Sequence, residues 1–159
     1  MDSSEALALR SLLENQAVAA LATLHKGEPA VSMAPFALLP GGQGFVIHVS
    51  RLATHTQDML ANAAVGLLVM AAPGAAESPL ALPRVSVRGT ARQCLPEAAE
   101  YGEARAAYLA KLPQSEELFS FADFSLFLIE LRSLRFVAGF GRALAVTPEQ
   151  FASVMRAPR

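Results

Sequence analysis

The stretch Val18-Ala19-Ala20-Leu21-Ala22-Thr23-Leu24, then His25-Lys26-Gly27-Glu28-Pro29, then Ala30 through Leu39 sets two apolar runs on either side of a turn-forming cluster. Short apolar runs separated by a few residues that include Gly and Pro read as strands joined by a tight connection. A second turn cluster, Pro40-Gly41-Gly42-Gln43-Gly44, leads into a third run, Phe45 to Val49, at hairpin spacing, so an antiparallel meander is forming. Before it, Asp2 and Glu5 stand three apart as in a capping box, and Ala6, Leu9, Leu12 and Leu13 recur at helical spacing. After it, Ser50 ends the strand pattern, and Leu52, His55, Thr56, Met59 and Leu60 recur at helical spacing up to Asn62.

Farther along, Val65 to Met70 and Val85 to Ala91 read as strands flanking a loop that holds Pro73, Gly74 and Pro79. Pro96 to Lys111 predicts the longest helix, Ser125–Arg132 and Arg135–Phe140 the last strands, and Thr147-Pro148-Glu149-Gln150 the capped start of a closing helix. Six or seven short, mostly sequential strands with inserted helices predict an α+β protein with an antiparallel, barrel-like sheet. No repeat or linker divides residues 1–159, so a single domain is expected.

With 53% hydrophobic residues among 159, the chain can bury a core without staples, and its lone Cys94 has no intrachain partner. Thirteen Lys plus Arg against fourteen Asp plus Glu give a net charge of −1, a poor footprint for nucleic acid or an anionic membrane, and neither partner is expected. The acidic start Met1-Asp2-Ser3-Ser4-Glu5 is unlike a secretory signal, and the longest apolar stretch, Ala63 to Ala76, is broken by Gly66, Pro73 and Gly74. A cytoplasmic location is the expectation. His25, His48, His55 and Cys94 show no metal-ligand spacing, and no serine or cysteine sits in a nucleophile motif. No metal site is expected, and any redox step falls to a cofactor.

The segment Ser50-Arg51-Leu52-Ala53-Thr54-His55-Thr56 packs hydroxyls, a guanidinium and an imidazole into a strand-to-helix junction. Free N–H groups at a helix start favour an anion such as phosphate, although plain helix capping explains the same residues and is the commoner case. Arg84, Ser86, Arg88, Thr90 and Arg92 alternate along one strand and so share a face, which suits either an anionic partner or simple solvation. Gly139-Phe140-Gly141-Arg142 allows close backbone approach to a flat ligand, or makes a tight strand exit.

In order along the chain, Val31 to Leu38, Gly44 to Thr56, Pro83 to Gly89 and Arg135 to Ala143 resemble successive blocks of the FMN-binding split β-barrel proteins related to pyridoxamine 5'-phosphate oxidase, in particular their haem-utilisation-like branch. The resemblance implies an antiparallel six-stranded split barrel with peripheral helices, forming a homodimer with FMN in a groove between subunits. It also implies roles for individual residues. Met33, Ala34 and Pro35 would meet the flavin ring, and His48 and Val49 would continue along it. Ser50, Arg51, His55 and Thr56 would hold the phosphate, with Arg84 at the subunit groove and Arg142 near the flavin. His55-Thr56 and Gly141-Arg142-Ala143-Leu144 stand where the oxidase carries other residues, so oxidation of pyridoxamine phosphate itself is not expected. A flavin-dependent oxidoreductase acting on a small molecule is the leading expectation. The alternatives are a haem-utilisation or haem-degrading protein and a non-enzymatic flavin-binding barrel. No histidine follows His55, which leaves a C-terminal haem ligand unsupported.

Overall fold

Lys26 and Gly27 both adopt positive φ, 52° and 83°, as a two-residue type I′ turn requires. They join β1 (Val18–His25) to β2 (Glu28–Pro35) in unbroken antiparallel register from Val18↔Pro35 to His25↔Glu28. This hairpin belongs to a computed structural model that describes residues 1–158. Its other strands are β3 (Ala37–Leu38), β4 (Phe45–Ser50), β5 (Ala64–Met70), β6 (Arg84–Cys94), β7 (Phe124–Gly139) and β8 (Arg142–Val146). All eight join one curled antiparallel sheet in the order β2-β1-β5-β6-β7-β4-β3, with β8 added to β7. The helices are α1 (Ser3–Asn15), α2 (Thr54–Ala61), α3 (Tyr101–Lys111) and α4 (Pro148–Arg156).

The α+β, antiparallel split-barrel architecture is the expected one, with eight strands in place of six. Seven apolar runs read as strands in the sequence become eight by one division, one merger and one addition. The run Ala30 to Leu39 is interrupted at Phe36, whose side chain is fully buried and whose N–H bonds the Ala17 carbonyl, so β2 and β3 separate. The segments 125–132 and 135–140 are one strand, β7, whose pairing with β6 slips between Arg88↔Ser133 and Gly89↔Leu131. That bulge leaves Arg132 as the extra residue and shifts the inward-facing set from Phe127, Ile129 and Leu131 to Leu134 and Phe136, so the sequence pattern loses its period there. Finally, Gly141, at φ 73°, turns the chain back into β8 where only a strand exit was expected.

The inner face of the sheet buries Leu21, Phe45, Ile47, Val69, Val85, Val87 and Phe136, closed by Leu9 and Leu13 of α1, Met59 of α2 and Phe151 of α4. A second, smaller core lies on the outer face of β4 and β7, where Val46, Leu126 and Leu128 meet Ala104, Tyr108 and Leu112 from α3 and its end. Because β4 is covered on both faces, its run Phe45 to Val49 is buried throughout and shows no polar alternation. α3 starts at Tyr101 and not at Pro96, since β6 extends to Cys94 and the next residues form successive turns. Both expected capping boxes form, Asp2 with Glu5 and Thr147 with Gln150. Among the described residues, no helix is long and apolar enough to cross a membrane.

Gly89 is where the bulge requires the smallest residue: an added Cβ would lie 2.7 Å from both the Glu130 carbonyl oxygen and Ile129 Cγ2. Gly89→Ala is expected to lower stability by about 1–3 kcal/mol. Gly102→Ala, with nothing within 4 Å of the new Cβ, should raise it by about 0.4–1 kcal/mol. Urea unfolding of the two variants checks the contrast.

Candidate functional site

The junction between β4 and α2 is held together from within. Ser50 Oγ donates to Asp123 Oδ2 at 2.6 Å, and the Arg51 N–H donates to the Asp123 carbonyl at 2.6 Å. Thr56, fully buried, donates its hydroxyl to the Ser50 carbonyl at 2.6 Å, and Gln57 Nε2 donates to the Arg51 carbonyl at 2.6 Å. The N-cap, Ala53, contributes no side-chain bond. Both hydroxyls assigned to a phosphate are therefore committed, and one of them to a carboxylate. Arg51 and Leu52 face solvent.

α2 docks on the β1–β2 hairpin through two polar pins, one per helical turn. His55 Nδ1 lies 2.9 Å from Ser32 Oγ on β2. One turn on, the buried Asp58 accepts from Thr23 Oγ1 at 2.9 Å and lies 2.7 Å from His25 Nδ1. A carboxylate only accepts, so the proton of that second bond sits on His25 Nδ1. His25 is exposed and His55 half-buried, each with Nδ1 engaged. The hydrogen bond from His25, with that from Thr23, holds the Asp58 carboxyl below its ordinary value against the opposing effect of burial. Burial pushes the His55 imidazole down, and Asp58 partly offsets this.

His48 and Val49 are both buried, on opposite faces of β4. Val49 belongs to the barrel core. His48 stacks on Phe119, ring centroids 3.8 Å apart and planes 6° from parallel, with Tyr108 and Phe124 at its edges. On this stack Arg105 lies over Phe119, its guanidinium carbon 5.0 Å from the ring centre. His48 Nδ1 has no hydrogen-bond partner, and burial, reinforced by Arg105, lowers its pKa from 6.5 to about 4.

The remaining expected site residues are spread over the molecule. Met33 points outward from β2 and is 58% exposed, whereas Ala34 is buried and Pro35 half-buried. Arg84 donates to the Leu80 and Leu82 carbonyls. Arg142 pairs with Glu5 at 2.5 Å and Asp2 at 3.1 Å, tying β8 to the first turn of α1. Thus Ser50, Arg51, His55 and Thr56 do cluster, while His48, Val49 and Arg142 are taken up by packing and pairing. Thr23, His25, Ser32, Asp58 and Asp123 complete the polar cluster without having been singled out. Asp58 was visible as the one carboxylate close in sequence to Ser50, but Asp123 is 73 residues away from it. Among the described residues, no group of three or more His, Cys, Asp and Glu side chains is placed to hold a metal ion.

A curled antiparallel sheet plugged by helices, with a polar junction between β4 and α2 facing an exposed edge strand, defines a split-barrel protein. The chain belongs to the pyridoxamine 5'-phosphate oxidase family, whose model matches residues 7–138. It is 34% identical over 138 residues to the chloroplastic non-canonical heme oxygenase HOZ of Arabidopsis thaliana, covering 85% of this chain and 40% of that protein. A heme binding protein from Mycobacterium smegmatis superposes with a TM-score of 0.83 at 31% identity, over 96% of this chain and 62% of the other. HutZ, the heme storage protein from Vibrio cholerae, shares the fold with a TM-score of 0.74 at 24% identity, over 84% and 94% of the two chains. This chain thus spans only part of the first two relatives.

His48 supplies a pH test of the packing. A histidine kept neutral by the fold stabilises fully above its ordinary value, and loses that contribution as pH falls from 6.5 toward about 4, where the unfolded chain binds the proton first. His48→Phe retains a flat ring and removes the titration. Urea midpoints should fall with pH across this window in the wild type, and fall distinctly less in the variant.

Proposed function

We propose that this protein binds haem, as substrate or cargo, in a groove between the subunits of a homodimer. The observation that carries the choice is Asp123 on Ser50. A phosphate placed in the junction would meet a carboxylate already bonded to its nearest hydroxyl, and like charges at that range oppose each other strongly. Haem has no phosphate and makes no such demand. The names of the Arabidopsis and Mycobacterium relatives above support the same reading.

His25 and His55 are the imidazoles a ligand can reach, and His25 has its proton fixed on Nδ1 by Asp58, which leaves Nε2 as the accepting nitrogen. A carboxylate behind an imidazole fixes its tautomer and orientation, an arrangement suited to iron. His48, enclosed by Phe119, Tyr108 and Phe124, is not available for this role. Haem supplies the iron and conjugated ring chemistry when bound; the chain's part is to hold the ring and present imidazole nitrogen.

The flavin reading keeps two supports, the family match and the exposed guanidinium of Arg51 just before α2. Absorbance titration separates the two. Haemin is expected to give a saturable complex with a sharp Soret band that survives His48→Phe and is lost in a His25→Ala, His55→Ala double variant, while FMN shows no saturable binding. FMN binding that Arg51→Ala weakens roughly ten- to hundredfold more than riboflavin binding, with no haemin complex, would replace this proposal by the flavin one.

The dimer is supported by the outer face of β2, β1 and β5. Val31 at 75%, Met33 at 58%, Val18 at 45% and Met70 at 42% exposure stand around Ala20, Ala22, Gly66 and Leu68, a contiguous apolar surface of the kind a second copy covers. Val31→Asp combined with Met33→Asp should leave the protomer folded and convert dimers to monomers at micromolar concentration. Light scattering that finds the wild type monomeric would remove the shared groove.

A further inference from the structure

The outer face of the sheet changes character abruptly at β6. Rows of residues run straight across the strands: Val31, Ala22, Gly66, Arg88 and Ser133 form one, and Met33, Ala20, Leu68, Ser86 and Arg135 the next. Each row is apolar through β5 and carries one guanidinium beyond it. Arg88 and Arg135 are exposed and sit diagonally on adjacent strands, within about 7–8 Å backbone to backbone.

Three other arginines are neutralised. Arg92 pairs with Glu100, Arg132 with Glu130, and Arg142 with Asp2 and Glu5. Arg88 and Arg135 take part in no ion pair among the described residues. Their cross-strand neighbours carry no charge: Ser133 and Gly66 beside Arg88, Ser86 and Ala145 beside Arg135. Two like charges on neighbouring strands repel unless an anion sits between them. Gly66, directly beside Arg88, has no side chain to fill the step between the apolar and basic halves.

We infer that Arg88 and Arg135 form an anchor for the carboxylates of a flat, otherwise apolar ligand, the porphyrin of the proposed function, lying along the boundary between the apolar strands and β6. His25 lies on the opposite face of β1, with Leu21 and Thr23, so the imidazole and the arginines that meet one porphyrin come from different subunits of the proposed dimer. The inference rests on that proposed function. Its chemistry is complementary: guanidinium forks match carboxylates in two-bond geometry, and apolar surface lies on the other side of the boundary. The acidic groups of this ligand, and not its ring or iron, are what the pair distinguishes.

Haemin, whose two propionates are free, and haemin dimethyl ester, whose propionates are blocked, test this directly. Both are titrated into the full chain as wild type, as an Arg88→Ala, Arg135→Ala double variant, and as the corresponding double Lys variant. Both positions are exposed, and thermal unfolding verifies that the variants fold. The wild type should bind haemin in preference to the ester. The double Ala variant should lose roughly ten- to a hundredfold in haemin affinity with little change for the ester, and the Lys variant should recover part of the preference. Equal losses for both ligands, or none, would overturn the assignment. So would a weakened dimer with unchanged haemin-to-ester preference, which would make the arginines partners of carboxylates on a second copy. A collapse of FMN-over-riboflavin preference in their place would reassign the pair to a phosphate. No haemin binding by the wild type would sink the haem reading itself, and this inference with it.

Discussion

β7 pairs with β6 along its length, with β4 over Phe124 to Ile129 and with β8 over Leu134 to Gly139, so its register is shared by the whole barrel. A strand bonded to three others cannot slip without moving all of them, because a one-residue shift turns its core residues to the wrong face. The single slip it does contain occurs opposite Gly89, where the β7 backbone approaches more closely than any Cβ would allow. This one contact lets β7 face Ile129 and Phe127 inward near β4, and Leu134 and Phe136 inward near β8. Both halves of the barrel core follow from it.

Around that scaffold the polar groups divide into those that fasten and those that remain open. Arg142 fastens β8 to α1, Asp58 and His55 fasten α2 to the hairpin, and Asp123 fastens the junction after β4. Each of these draws a side chain that looked available in the sequence into an internal bond. What stays open is Arg51, the outward Nε2 edge of His25, and the unpaired Arg88 and Arg135. The apolar face of β2, β1 and β5 lies alongside the last two. Lys111, whose Nζ lies 3.6 Å above the Phe36 ring centre and donates to the Leu13 carbonyl, shows the fastening pattern in a third region.

The strands, their antiparallel order, the capped first and last helices and the polar character of Ser50 to Thr56 were legible in the sequence. They depend on local periodicity and on turn chemistry such as Lys26-Gly27, which acts within a few residues. The alternation along β6 was legible for the same reason, down to the shared face of Arg84, Arg88 and Arg92. The start of α3 was not, because pairing with Leu126 carried β6 on to Cys94.

Which polar residues were free to act was decided by partners distant in the chain. Asp123 reaches Ser50 across 73 positions, His25 reaches Asp58 across 33, and Glu5 reaches Arg142 across 137. No local pattern encodes such pairs; they exist only once the sheet has curled and set its ends together. His48 reads as a ligand-facing strand residue until α3 and the segment ending in Phe119 fold over it. The sequence by itself determined the split-barrel family and the position of a polar strand-to-helix junction, since both rest on short-range order. Tertiary structure alone decided that this junction is internally satisfied and that Arg88 and Arg135 stand unpaired beside an apolar face, since charge and hydrogen-bond balance depend on what folding brings near.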